Sequence, residues 1–82
     1  MDRKVISEAE LLEFINQKLH GLVFPVDYRN YRFTEIVRLQ LEDRDGVNWS
    51  GANYEVDGIA DNKCKPVLEN IIKDARTKYN VE

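Results

Sequence analysis

Phe33 to Asp57, FTEIVRLQLEDRDGVNWSGANYEVD, decides the fold. From Val37 to Glu42 apolar and polar residues alternate, with Val37, Leu39 and Leu41 on one parity and Arg38, Gln40 and Glu42 on the other. That is the two-residue period of a half-buried strand. On a helix, Ile36, Val37, Leu39 and Leu41 would wrap around the surface rather than form a stripe. Phe33 extends the inner parity, whereas Ile36 falls on the outer one. Asp43-Arg44-Asp45-Gly46 supplies a turn, Gly46 tolerating a positive φ. Val47 and Trp49 return on the inner parity, which favours a core position for Trp49 over an interface. Ser50-Gly51 interrupts the pattern and reads as a bulge or a short second turn. Ala52, Tyr54 and Val56 then alternate again, as more of the same strand or as a third one, before Asp57-Gly58. The stretch is a β-hairpin with Val37, Leu39, Leu41, Val47 and Trp49 inward. Its other face, Ile36, Arg38, Gln40, Glu42 and Asn48, is polar enough to meet water.

Helices flank it. Ser7-Glu8-Ala9-Glu10 is a capping box, with Ile6 and Leu11 at the staple positions. Leu11, Leu12, Ile15, Leu19 and Leu22 keep the 3–4 spacing of one stripe, widened by Phe14. Glu8 and Glu10 suit the positive end of the helix dipole, and Lys18 and His20 the negative end. Gly21 is placed to terminate a helix over residues 8–20. Residues 22–26 are short and apolar, and Pro25 restricts them to an edge strand or a connector. A second helix spans about 62–79, capped by Asp61 or Asn62, with Cys64, Val67, Leu68, Ile71, Ile72, Ala75 and Tyr79 as its apolar face. Pro66 falls in its first turn, where no intrahelical amide bond is lost. The expected architecture is α+β, a single domain over 1–82 in the order α-β-β-(β)-α, both helices on one face of the sheet. Residues 1–5 are expected to be disordered.

Composition narrows the function classes. The 82 residues carry a net charge of −3, which works against unspecific binding to nucleic acid. Cys64 stands alone, so no disulfide staples the fold. With neither a signal-peptide pattern nor a run of 18 apolar residues, a cytoplasmic protein without membrane contact is expected.

Four features bear on chemistry. Cys64, between Lys63 and Lys65 near a helix start, has surroundings that favour a thiolate, but no base stands near it in sequence, and a buried place on the apolar stripe accounts for it. His20 fits a helix C-terminus, and one His with one Cys falls short of a zinc ligand set. Glu42, Asp43 and Asp45 lack the register of a calcium loop and are what a turn wants. No catalytic residue, metal site or cofactor is expected. The fourth feature is the loop DYRNYR, residues 27–32. Its Tyr28, Arg29, Tyr31 and Arg32 suit stacking on bases, a protein hot spot, or a core edge whose arginines pair with acids such as Asp27.

Two resemblances follow from these residues. The α-β-β-β-α order, with Gly58 and then Lys63 and Lys65 before the last helix, resembles a double-stranded-RNA-binding domain. That likeness implies that Lys63 and Lys65 cross phosphates, although Cys64 divides them and Pro66 and Glu69 follow. Asp45-Gly46-Val47-Asn48-Trp49-Ser50 together with Ala75-Arg76-Thr77-Lys78-Tyr79-Asn80-Val81 is similar to small bacterial and phage-type proteins, a likeness that implies no activity. The resulting expectation is a non-enzymatic protein-interaction module. A nucleic-acid-binding module is the alternative. The chain is expected to be a monomer, or a homodimer paired through a hairpin edge.

Overall fold

The computed structural model describes residues 3–22, 28–59 and 61–82. Six elements follow in order: β1 (Lys4–Ile6), α1 (Glu8–His20), β2 (Tyr31–Arg38), β3 (Trp49–Val56), α2 (Cys64–Lys78) and β4 (Tyr79–Val81). The class is α+β, as the alternation and the helical stripes imply. Helix α1 has the expected bounds. Ser7 Oγ accepts from the Glu10 amide at 3.1 Å, and the Glu10 carboxylate accepts from the Ser7 amide at 3.4 Å. Gly21 ends the helix with an ordinary right-handed φ of −78°, so its conformational freedom is not used there.

β2 and β3 form the hairpin, antiparallel, and two bulges set which side chains point inward. Register runs Tyr31 to Val56 and Phe33 to Tyr54, then Glu35 to Asn53, which leaves Thr34 as the extra residue on β2. One extra residue shifts the phase of everything beyond it. The inner face of β2 is therefore Tyr31, Phe33 and Ile36, all buried. The inward parity expected at Val37, Leu39 and Leu41 is corrected: Val37 is 39% exposed, Leu41 83% exposed and Leu39 only half-buried. Ile36, assigned to the polar face, belongs to the core. A second bulge leaves Ser50 unopposed on β3, between the Val37–Gly51 and Arg38–Trp49 pairs. The Ser50-Gly51 break is thus a bulge. β3 continues through it, and residues 52–57 make no third strand. Trp49 is buried in the core, the position its shared parity with Val47 favours.

β2 stops at Arg38, and residues 39–48 form a folded loop rather than more strand. Leu39 and Asn48 stay paired through one backbone bond of 2.9 Å. Asp43 organises the tip: its Oδ1 accepts from the amides of Asp45 (2.9 Å) and Val47 (3.0 Å), and its carbonyl accepts from Gly46, whose φ is +81°. Asp43 Oδ2 pairs with Arg76 of α2, whose Nε donates to the Trp49 carbonyl at 2.9 Å. The amide of Val47, the amide of Asp45 and the Arg76 guanidinium hold the Asp43 carboxyl below its ordinary value, against an opposing desolvation. A lowered folded pKa makes stability rise with pH across the interval between the folded and unfolded values. The contribution is complete above the unfolded value, about 4, and is lost as pH falls through the folded one. Asp43→Asn is expected to lower the urea midpoint at pH 7. The deficit relative to the parent protein should close as both are titrated into acid. A deficit unchanged by pH would contradict this role.

The chain ends meet. β1 pairs in parallel with β4 in a separate two-stranded sheet, Lys4 to Tyr79 and Ile6 to Val81. Disorder expected over residues 1–5 is corrected for Lys4 and Val5, which β4 holds in a strand, while residues 1 and 2 lie outside the described residues. α2 is shorter than expected, and Tyr79 and Asn80 belong to β4. Asn48 occupies the far side of β4 as a neighbouring strand would: its side-chain amide donates to the Val81 carbonyl at 2.6 Å and accepts from the Val81 amide at 3.0 Å. Trp49 Nε1 donates to the Tyr79 carbonyl at 3.0 Å. The possible strand at 22–26 falls largely outside the described residues; Leu22 itself is in no strand.

Candidate docking groove

The two edges of the hairpin differ. α1 runs along the outer edge of β2, and three side chains on one face of that helix, spaced eight and then four residues apart, meet the strand's backbone. The Glu8 carboxylate accepts from the Ile36 amide at 3.4 Å. Asn16 both accepts from the Phe33 amide (2.8 Å) and donates to the Phe33 carbonyl (3.1 Å). His20 Nε2 donates to the Tyr31 carbonyl at 2.7 Å. Buried Leu11, Ile15 and Leu19 hold α1 in this position. The edge of β2 is therefore closed to a second copy of the chain.

β3 carries no such cover. Tyr31, Phe33 and Ile36 turn their backbone groups toward α1, so their partners Val56, Tyr54 and Ala52 turn theirs to the other side. Among the described residues no hydrogen bond meets the outward groups of Ala52 or Tyr54. Beside this edge lies an open groove of about 590 Å³ between the hairpin and α2. Phe33, Ala52 and Tyr54 line it from the sheet. Leu68 and Ile72 line it from α2, with Lys65, Glu69, Lys73 and Arg76 as its polar rim. The groove exists because α2 carries more apolar surface than the sheet covers. Ile71 and Ala75 are buried, whereas Ile72 is only half-buried and Tyr54 is 39% exposed. Ser50, Gly51 and Ala52 keep the strand side low, and space beside Gly51 is open.

The residues expected to form a binding site divide between this groove, the core and a second hollow. Tyr28 and Tyr31 are core residues, fully buried and in ring contact at 5.3 Å, so they offer no face for stacking. Burial, followed by the neighbouring Cys64, holds the Tyr28 phenol above its ordinary value. Arg29 and Arg32 are exposed and line a hollow of about 570 Å³ with His20, Glu55 and Asp57. Arg32 pairs with Glu55 at 2.7 Å, and both side chains are mostly exposed. Asp27 lies outside the described residues. Lys63 precedes α2, its amide donating to the Asp61 carboxylate at 2.8 Å. Lys65 lines the other concavity, so the four cations form no common patch. Cys64 is buried, on the stripe that includes Leu68, and burial with Cys64 alongside raises the Tyr54 phenol.

Sequence reasoning missed Ala52, Tyr54, Leu68, Ile72 and Lys73 as a surface. The signals were a run of three small residues at 50–52 and a stripe on α2 wider than a two-stranded sheet can cover. No group of three or more metal-ligating residues occurs among the described residues, and no described helix is long and apolar enough to cross a membrane. Compared with protein-family models, curated proteins and solved structures, the chain matches none.

Proposed function

We propose that the protein works by binding another protein, docking it in the groove between β3 and α2 without chemistry of its own. One observation carries this reading: an open, largely apolar groove beside an uncovered strand edge, in a domain that seals its other edge. Phe33 and Leu68 form a buried floor, while Ala52, Tyr54 and Ile72 keep part of their apolar surface within reach of a partner. Apolar clefts of this size are the usual seats of binding. A nucleic-acid interface draws no comparable support. Glu55 and Asp57 share the hollow of Arg29 and Arg32, and a two-stranded hairpin departs from the three-stranded sheet of a double-stranded-RNA-binding domain. A cytoplasmic setting and a bacterial or phage-type origin belong to the same proposal, resting on the lone Cys64 and the resemblance of residues 45–50 and 75–81.

Selection of a displayed random nonapeptide library on the immobilised chain tests the reading. Selected peptides, titrated into 15N-labelled protein, are expected to shift Ala52, Tyr54, Leu68 and Ile72. Shifts centred on Arg29 and Arg32, or no selectable peptide, would overturn it.

A further inference from the structure

We infer that the groove accepts an extended, acidic segment of its partner, added as a third strand to the outer edge of β3; this rests on the docking reading above. The outward amides and carbonyls of Ala52 and Tyr54 are the ladder such a strand needs. Ser50, Gly51 and Ala52 let a second backbone approach without obstruction, and glycine in a strand commonly marks such an approach. An amphipathic helix would fill the apolar groove but would leave that ladder unused.

Charge selects the segment. Lys65 and Lys73 stand on the rim and enter no ion pair among the described residues, whereas Arg76 is engaged by Asp43. Against them the rim carries one acid, Glu69, in a chain whose net charge is −3. The groove is thus a locally cationic site on an acidic protein, and it favours acidic partners and disfavours copies of itself. Spacing adds a pattern. Lys65 and Lys73 are eight helical residues apart, about 12 Å along α2. An extended strand covers that length in roughly four residues. Side chains two apart share a face, so the segment is acid-x-apolar-x-acid, its acids at Lys65 and Lys73 and its apolar residue between them over Leu68 and Ile72.

The test uses the full chain and the nonapeptides selected above. Winners are expected to be enriched in acid-x-apolar-x-acid. Methylating the peptide's backbone nitrogens one at a time should weaken binding more than tenfold at every second position and little at the others, the mark of a strand ladder, without altering the protein. Lys65→Glu combined with Lys73→Glu should weaken binding more than tenfold while the 15N spectrum of the free protein stays folded. Peptides that shift the groove but tolerate methylation everywhere, or that show helical spacing, would overturn strand addition and leave docking standing. Basic winners would overturn the charge assignment. Sedimentation revealing a dimer that buries the β3 edge would assign it to a second copy instead. Failure to select any groove-binding peptide would remove the docking reading itself.

Discussion

Trp49→Ala is expected to leave little or no cooperative folding at room temperature. Trp49 is fully buried where the elements converge. Its ring belongs to the core shared by α1, the hairpin and α2. Its indole N–H satisfies the Tyr79 carbonyl, and its own carbonyl receives the Arg76 guanidinium. Truncating a buried large aromatic costs about 3–5 kcal/mol through lost transfer energy and the cavity left behind. A domain of this length has roughly 4–12 kcal/mol in total, and only about 60–65% of its unfolded surface is buried. Here the substitution also orphans a carbonyl of β4, which adds to the loss. Urea unfolding followed by circular dichroism measures it. Trp49→Phe keeps most of the ring and should lose distinctly less. An alanine variant within about 1 kcal/mol of the parent would mean that the ring is peripheral.

Asn48→Ala is expected to cost about 2–3 kcal/mol, because two backbone groups of Val81 lose their partner in a part-buried setting. The Asn48 amide group both donates to and accepts from Val81, and Asn80 returns a bond to the Gly46 carbonyl at 3.0 Å. These bonds tie the hairpin loop to the sheet made by the two chain ends. Losing them should free β4 first, so Val81 is expected to exchange its amide proton faster than residues of α1 do. Asn48→Asp separates the two roles: a carboxylate still accepts from the Val81 amide but cannot donate to its carbonyl. Equal stability of Asn48→Ala and the parent would show that the Asn48 bonds do not hold β4.

What was legible in advance was local. The capping box at Ser7, the 3–4 stripe of α1 and the turn at Asp43–Gly46 are each written within a few residues, and each stands as read. The Ser50 bulge had its marker in Gly51. The Thr34 bulge had none, because threonine is an ordinary strand residue. That single silent insertion reversed the inward side of β2, moving Ile36 in and Val37 out. β1 and β4 were missed for another reason. Each is three residues long, and they pair across nearly the whole chain, so neither carries a period of its own. Tyr28 and Tyr31 were ambiguous by composition, since an aromatic-arginine run suits an interface and a core edge alike. Only the strand beginning at Tyr31 turns its ring inward. The groove could not be read at all until α2 was placed beside β3, because it is the mismatch in width between one helix face and a two-stranded sheet.

The asymmetry of the hairpin's edges underlies both the docking reading and the strand-addition inference, and native-state hydrogen exchange measures it residue by residue. The outward amides of Phe33 and Ile36 are bonded to Asn16 and Glu8. They should be protected, and Asn16→Ala should strip that protection from Phe33. The outward amides of Ala52 and Tyr54 should exchange freely in the same sample, although the hairpin is intact and their neighbours are protected. Equal protection on both edges, or a protected Ala52 and Tyr54 in the isolated monomer, would contradict an open β3 edge and with it the proposed site.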